Sequence, residues 1–355
     1  MSEQPGAAAA DVPVAPVATI DPRDTPAFDE WFAVWHVTDL ERTPGGPGWQ
    51  YEERLAMALD EDGPEENRPL VARRDGAVIG VANLKMFRRE NHHLARLEVR
   101  VLREHRRRGI GTELLRTAER LAAASGRNEL AGMDETPVRE GYVDAAGPFA
   151  RRLGFTVAQR MVRRCIDLPL DDAHATALVA DPRATPAGYT LVTFADRWPD
   201  EYLRDRCELG RRMSTDVPVG EQEVDEEVWD TERVRALEAS LAAQNRAKVT
   251  TAARHDASGR LVGFTEVAIP LGAPESAWQH DTLVMREHRG HGLGFAMKVA
   301  NVVAVQERYP SVRRINTWNA AENAPMIAVN DEMGWRVEAH SAYWHRPIAV
   351  RPSHA

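Results

Sequence analysis

The chain has 355 residues, 43% hydrophobic and 28% charged, with a net charge of −9, a length that suits two cores of about 100–200 residues each. The acidic balance excludes a general nucleic-acid binder, which needs a basic face, and no apolar run approaches the ~18 residues of a membrane-spanning helix. Cys165 and Cys207 are the only cysteines, too few for a disulfide framework or a zinc ribbon. No metal is therefore expected. The N-terminus lacks the basic-then-apolar order of a signal peptide, so a reducing cytoplasm is the default.

Residues 1–16, with Ala7 to Ala10, Pro13 and Pro16, are aperiodic and read as a disordered tail. A first domain is expected over 17–168. It opens on helical sequence rich in aromatics (Phe28, Trp31, Phe32, Trp35), followed by a hairpin around Asp75-Gly76 and a strand ending at Val101. A glycine loop then leads into a helix with Leu114, Leu115, Ala118, Leu121 and Ala122 at helical spacing and Gly126 suited to its C-cap. Pro169, Pro182 and Pro186 mark a linker over 169–187. A second domain over 188–355 repeats the order, with a turn at Ser258-Gly259, a strand ending at Val284, and a helix carrying Ala296, Met297, Ala300, Val303 and Ala304.

The repeat is literal. Arg103-Glu104-His105-Arg106-Arg107-Arg108-Gly109-Ile110-Gly111 recurs 183 residues later as Arg286-Glu287-His288-Arg289-Gly290-His291-Gly292-Leu293-Gly294, with six of nine positions identical. Val78-Ile79-Gly80-Val81 matches Leu261-Val262-Gly263-Phe264 at the same offset, and Gly154-Phe155 matches Gly334-Trp335 at 180. A near-constant offset over three separated elements is the mark of a duplicated domain. Each copy reads as α+β, with helices packed on a mixed, mainly antiparallel sheet.

A strand, then Arg-x-x-Gly-x-Gly, then an amphipathic helix makes an anion site. The helix start presents unpaired N–H groups and a partial positive charge, and glycines let the backbone approach phosphate oxygens. Neither the dinucleotide spacing nor the Gly-Lys-Ser/Thr of a nucleotide loop is present.

On these residues the chain resembles the GNAT acyltransferases, whose signature is Arg/Gln-x-x-Gly-x-Gly/Ala after a valine strand. The resemblance implies two tandem GNAT-like domains and acetyl-CoA, or another short acyl-CoA, as co-substrate. The loops Arg106, Arg107, Arg108, Gly109, Ile110, Gly111 and Arg289, Gly290, His291, Gly292, Leu293, Gly294 would hold the pyrophosphate. Backbone at Val101 and Val284 would pair with pantetheine and polarise the thioester. Asn323, eleven residues before Gly334, has the spacing of the family's cofactor-contacting Asn, and Asn319 precedes it at a strand end. The Tyr that often serves as general acid is missing. Asn330 stands at its place in the second half, and Val143 and Ala150 stand at the Asn and Tyr places in the first.

Acylating an amine requires removing its proton and protonating the departing thiolate. The family's usual glutamate site holds Trp278 and Ala95, so the candidate bases are Glu266, His280 and Asp281, with Glu98 in register with Asp281 and Leu97 with His280. Tyr343 and His345 are candidate acids. The acidic run Asp216, Glu221, Glu223, Asp225, Glu226, Glu227 and Asp230 is expected in the first helical region of the second half, where it would steer a cationic amine. The richer polar set in the second half points to it as the active copy. The expected activity is N-acetyl transfer to a small-molecule amine, by a monomer or homodimer with no nucleic-acid or membrane partner. A non-enzymatic CoA-binding or sensing module is the alternative.

Overall fold

The computed structural model describes residues 16–43 and 48–348, so the expected tail, save Pro16, lies outside the described residues. The first half begins with β1 (Val17–Thr19), α1 (Thr25–Arg42) and α2 (Tyr51–Leu59). Asp24 caps α1 by accepting from the Ala27 amide, and Phe28, Trp31, Val34 and Trp35 turn one face inward. There follow β2 (Glu65–Arg74), β3 (Ala77–Phe87), β4 (Leu94–Val101), α3 (Ile110–Ala124), β5 (Glu129–Pro137), α4 (Ala146–Arg152) and β6 (Thr156–Asp167). The β2–β3 turn uses Asp75 and Gly76, both at positive φ, as a two-residue hairpin requires.

The segment expected as a linker is built into the fold. It carries α5 (Asp172–Ala180) and a 3-10 turn, Pro182–Ala184. Asp171 caps α5, and His174 reaches the Met333 carbonyl at 3.0 Å. The apolar face that anchors it is short (Leu170, Leu178), which is why no sustained period was visible.

The second half continues with β7 (Tyr189–Ala195), α6 (Leu203–Asp216), α7 (Thr231–Ala243), β8 (Arg246–His255), β9 (Leu261–Pro270) and β10 (Ser276–Val284). It ends with α8 (Leu293–Arg308), β11 (Arg314–Ala320), α9 (Ala324–Glu332) and β12 (Arg336–Pro347). The acidic stretch 217–230 is not helical; it is an irregular loop lying against the first half. There Asp225 and Asn91 exchange amide-to-side-chain bonds of 2.6 and 2.8 Å, and the Val228 amide donates to Glu90 at 3.0 Å.

The twelve strands of the described residues join one sheet, in the order β1-β2-β3-β4-β5-β12-β6-β11-β10-β9-β8-β7. The last strands of the two halves are exchanged: β12 lies against β5 of the first half, and β6 lies against β11 of the second. The buried clusters follow this exchange. Ala342 and Trp344 of β12 sit in the core under α3, while Ile166 of β6 sits in the core under α8.

Candidate active site

Two places in the sheet come apart. β4 pairs in parallel with β5 only over Leu94–Arg96, and β10 pairs with β11 only over Ser276–Trp278. Beyond those rungs the strands diverge, and each glycine loop stands at the wide end. Gly109 and Gly292 cap α3 and α8 at φ 80° and 74°, a left-handed conformation that side chains resist. The second copy also has Gly290 at φ 85°, where the first bears Arg107 at φ 64°.

Among the described residues, no backbone carbonyl outside the helices and strands accepts from the amides of Arg107, Arg108 and Gly109, or of Gly290, His291 and Gly292. With the first-turn amides at Ile110 and Gly111, or Leu293 and Gly294, they make an anion-binding helix end. Arg106 and Arg289 do something else. Their amides close the 3-10 turn, and their Nε atoms donate to the carbonyls of Val101 and Val284 at 2.9 and 3.1 Å. They brace the loop rather than offer it an amide. The Met285 amide donates to Val262 on β9, so by strand alternation the Val284 N–H faces the splay. β11 has already left β10 there, and the N–H meets no strand on that side. These features suit a phosphate at the loop and an extended amide-bearing arm in the cleft.

In the second half the cleft has a further irregularity. β10 is regular against β9 up to Gln279–Val267 and again from Thr282–Thr265, leaving His280 and Asp281 opposite the single residue Glu266. Such a bulge re-aims side chains. Gln279 holds it, donating to Thr265 Oγ1 at 2.9 Å and to the Glu266 carbonyl at 2.6 Å. The bulge opens on a cavity of about 160 Å³ whose walls include His280, Asp281, Lys298, Thr317, Asn319 and Asn323. A wider depression of about 610 Å³, lined by Arg204, Arg211 and Arg260, lies between α6 and the β8–β9 hairpin and takes in neither splay nor bulge.

The candidate residues separate clearly. Glu266 is buried and engaged by Lys248 Nζ at 2.9 Å, Thr250 Oγ1 at 3.0 Å and Trp198 Nε1 at 3.1 Å. Burial alone would raise its carboxyl, but the Lys248 and Arg206 charges outweigh that and hold it at about 2. Glu266 is thus a structural anion rather than a base. Asp281 is pushed up to about 6, first by burial and then by the nearby Glu266 charge. His280 is lowered to about 4 by the dense surroundings and the Arg246 charge. Its side chain is solvent-exposed, and the downward shift favours the neutral imidazole at pH 7. Asn323 does cap α9, accepting from the Met326 amide at 3.4 Å, while Asn319 Oδ1 accepts from Asn330 Nδ2 at 2.6 Å. Tyr343 does not join them. The strand exchange carries it to the other half, where it pairs with Met133 and Gln159 and lies 5.7 Å from Arg96. His345 goes the same way, to Glu129 at 3.3 Å.

The matching pair in the first half has no bulge: β3 and β4 stay in register from Gly80–Val101 to Met86–Ala95. Its cleft is packed with ion pairs. Arg54 stacks 3.9 Å from the centroid of Trp35 and pairs with Glu98 at 3.5 Å. Arg163 and Trp318 both bond Glu135, at 3.2 and 3.1 Å. Elsewhere His93, Glu129 and Glu223 bring ligand atoms within 4.8 Å of one another, a group no sequence motif announced. His93 is already 3.2 Å from the Glu223 carbonyl, and the group ties the acidic loop to the first half. Among the described residues, no helix is long and apolar enough to cross a membrane.

Comparison with known proteins agrees with this geometry. Residues 30–155 match the family model "Acetyltransferase (GNAT) family". A tandem GNAT protein from the clavulanic acid biosynthesis pathway superposes with a TM-score of 0.77 at 29% identity, over 95% of this chain and 99% of its own. Residues 30–155 carry a GNAT acetyltransferase domain, and the chain as a whole has the fold of a tandem GNAT protein. A GCN5-related N-acetyltransferase from Sphaerobacter thermophilus shares the fold, with a TM-score of 0.64 at 19% identity over 94% and 95% of the two chains. So does a probable N-acyltransferase from Enterococcus faecalis, at 0.56 and 11% over 95% and 74%. No curated protein matches.

A GNAT acetyltransferase domain supports acyl-CoA-dependent acyl transfer at the level of the family. The residue at the GNAT tyrosine place, Asn330, is fully buried. Lys298 was missed by sequence reading because it interrupts an otherwise apolar helical period. Setting the two copies side by side would have exposed it, since Leu115 stands at the matching position of α3.

Proposed function

We propose that the chain moves an acetyl or another short acyl group from acyl-CoA to a primary amine, by direct transfer in the cleft of the second half. The observation that carries this is the bulge. It sets a carboxyl tuned to about 6 into a cavity between splayed strands, below an anion-binding loop. A base poised near the working pH is what amine acylation asks for. Asp281 is the base in this reading. The amine nitrogen forms a bond to the thioester carbonyl carbon, its proton passes to Asp281, and the C–S bond breaks.

The first half has the loop without the bulge or an unengaged carboxylate, and serves as scaffold or weak CoA binder. The domains divide near 168 and 188 in sequence, with the terminal strands traded between them. A cationic acceptor is favoured by Glu221, Glu223 and Asp225, which stay exposed on the loop that begins at the cavity wall with Val217 and Pro218. The two cysteines are unpaired, which fits a reducing cytoplasm.

The test is release of free CoA thiol from acetyl-CoA, with spermidine, kanamycin and neutral amino-acid amides as acceptors. Amine-dependent release supports the reading. Binding of acetyl-CoA without release above background for any amine would favour the sensing module instead.

A further inference from the structure

Asn330 at the GNAT tyrosine place leaves the departing thiolate without an acid. We propose that Lys298 is that acid, its ammonium group protonating the CoA sulfur as the C–S bond breaks. The proposal rests on the acyl-transfer reading and adds a residue to it.

Lys298 projects from α8 into the wall of the same cavity as Asp281. It is 1% exposed, and its Nζ lies 4.5 Å from the centroid of the Trp335 ring. The Trp335 amide in turn donates to the Asn330 carbonyl at 3.0 Å, so the ammonium stands beside the helix end where the family acid would be. Only three of the chain's 45 lysines and arginines are lysine: Lys85, Lys248 and Lys298. The first two are paired, with Glu65 at 2.7 Å and Glu266 at 2.9 Å. Lys298 has no ion pair or side-chain hydrogen bond among the described residues.

The duplication supplies an internal control. The matching residue of α3 is Leu115, buried in the first half's core, so the fold itself has no need of a charge at this place. Burying an unpaired ammonium costs stability. A cost carried by one copy and absent from the other, beside the one cleft with a bulge, points to chemistry. Lysine also differs from the arginine used nearly everywhere else in that it can release its proton.

The balance closes. The amine proton goes to Asp281, the C–S electron pair goes to sulfur, and Lys298 gives sulfur a proton. Amide and thiol result, and solvent returns one proton from Asp281 to Lys298. Burial alone lowers Lys298 to about 7, below the ~8.5 of a simple thiol, so the transfer runs downhill. Other charges around it are spoken for. His280 and Asp281 face the cavity from β10. On α9, Asp331 and Glu332 pair with Arg164 and Arg183, and on β8 and β9, Lys248 and Glu266 pair with each other. On α5, His174 is held by the Met333 carbonyl.

The experiment compares wild type, Lys298→Met and Lys298→Arg with acetyl-CoA and the amines above. Both variants should lose about 100-fold or more in kcat, with KM for acetyl-CoA within about twofold. The wild-type kcat should fall as pH rises through about 7, and that limb should vanish in Lys298→Met. Arginine keeps the charge but not the exchangeable proton, so wild-type kcat in Lys298→Arg would mean the residue only holds an anion, and would overturn the proposal. So would persistence of the alkaline limb in Lys298→Met. Should the variants misfold, NMR of wild-type protein with ¹³C-labelled lysine decides. Three lysines give three signals, and one must titrate near 7; titration of all three above ~9 refutes the assignment. A wild type that releases no thiol with any amine sinks acyl transfer, while the NMR titration still reports on Lys298.

Discussion

Glu98 and Asp281 hold matching places on β4 and β10, yet their carboxylates meet opposite surroundings. Glu98 lies 3.5 Å from Arg54 and 3.8 Å from Arg100. Burial would raise it, but the two guanidinium charges prevail and keep it below the usual carboxylate range. Asp281 is raised first by burial and then by the like charge of Glu266, which the Arg206 and Lys248 charges offset only in part. One duplicated position has become an ion-pair partner in one half and, in the proposed function, the base in the other.

Asp281→Asn should therefore lower kcat/KM by about 100-fold or more, while Glu98→Gln leaves it within about threefold. Wild-type kcat/KM should rise with pH through about 6 as Asp281 ionises, and this acid limb should be lost in Asp281→Asn. The linkage sign gives a second check. A folded pKa above the unfolded 3.8 means stability falls as pH rises from about 4 to 6, where the folded state holds the proton and the unfolded chain has lost it. Asp281→Asn should accordingly melt higher than wild type at pH 7. An unchanged pH profile in this variant would remove Asp281 from the mechanism.

What the sequence made legible was whatever depends on neighbours in the chain. The glycine loops, both hairpins and the helices after the loops are local features, and their repetition gave the architecture. The bulge at His280 and Asp281 was not legible, because it depends on how β9 and β10 are counted against each other. Nor was the strand exchange. β6 and β12 alternate in the same way whichever neighbour they take, so their patterns do not say which half they join. That is why Tyr343 looked like a site residue, although it stands one strand away from the cavity wall, beside Gln159, and does not line it.

The two loops can be tested by placing a carboxylate where phosphate should sit. An added Cβ at Gly294 meets nothing within 4 Å, and at Gly111 it meets the Phe149 ring at 3.4 Å. Gly294→Asp thus acts through charge rather than collision. It should abolish amine-dependent thiol release and the thermal shift given by acetyl-CoA at the second site, whereas Gly111→Asp should keep most of the turnover. The reverse pattern would move the active half to the first copy.

Glu266 should show itself as structure. Its carboxyl lies near 2 when folded, against 4.5 unfolded, so its stabilisation is present above about 4.5 and is lost as pH falls toward 2. A shift of that size corresponds to roughly 3 kcal/mol, in line with the ~3–5 kcal/mol for breaking a buried pair by removing one partner. Glu266→Gln should lower the melting temperature at pH 7 and narrow the difference from wild type in acid. Loss of turnover with full stability would instead make Glu266 a base.

The strand exchange makes the two halves one folding unit, and a single side chain can test it. Trp344 lies near the end of the second half's sequence but is buried in the first half's core with Leu97, Leu130 and Phe155. β12 pairs with β5 from Ala339–Pro137 to Pro347–Glu129 and with β6 along its other edge. Removing the indole leaves a cavity under α3, and such truncations cost about 3–5 kcal/mol. Trp344→Ala should therefore raise amide exchange in α3 and β5, some 200 residues away in sequence, more than in α8 and β11. Phe155→Ala should produce the same pattern, and the two effects should be less than additive because both side chains border one cluster. A chain ending before Arg336 would leave β5 and β6 without the strand between them. It should lose cooperative unfolding in both halves, although it retains Asp281, Lys298 and both glycine loops. If that truncated chain melts in one transition at the wild-type temperature, β12 is not shared as the sheet order states.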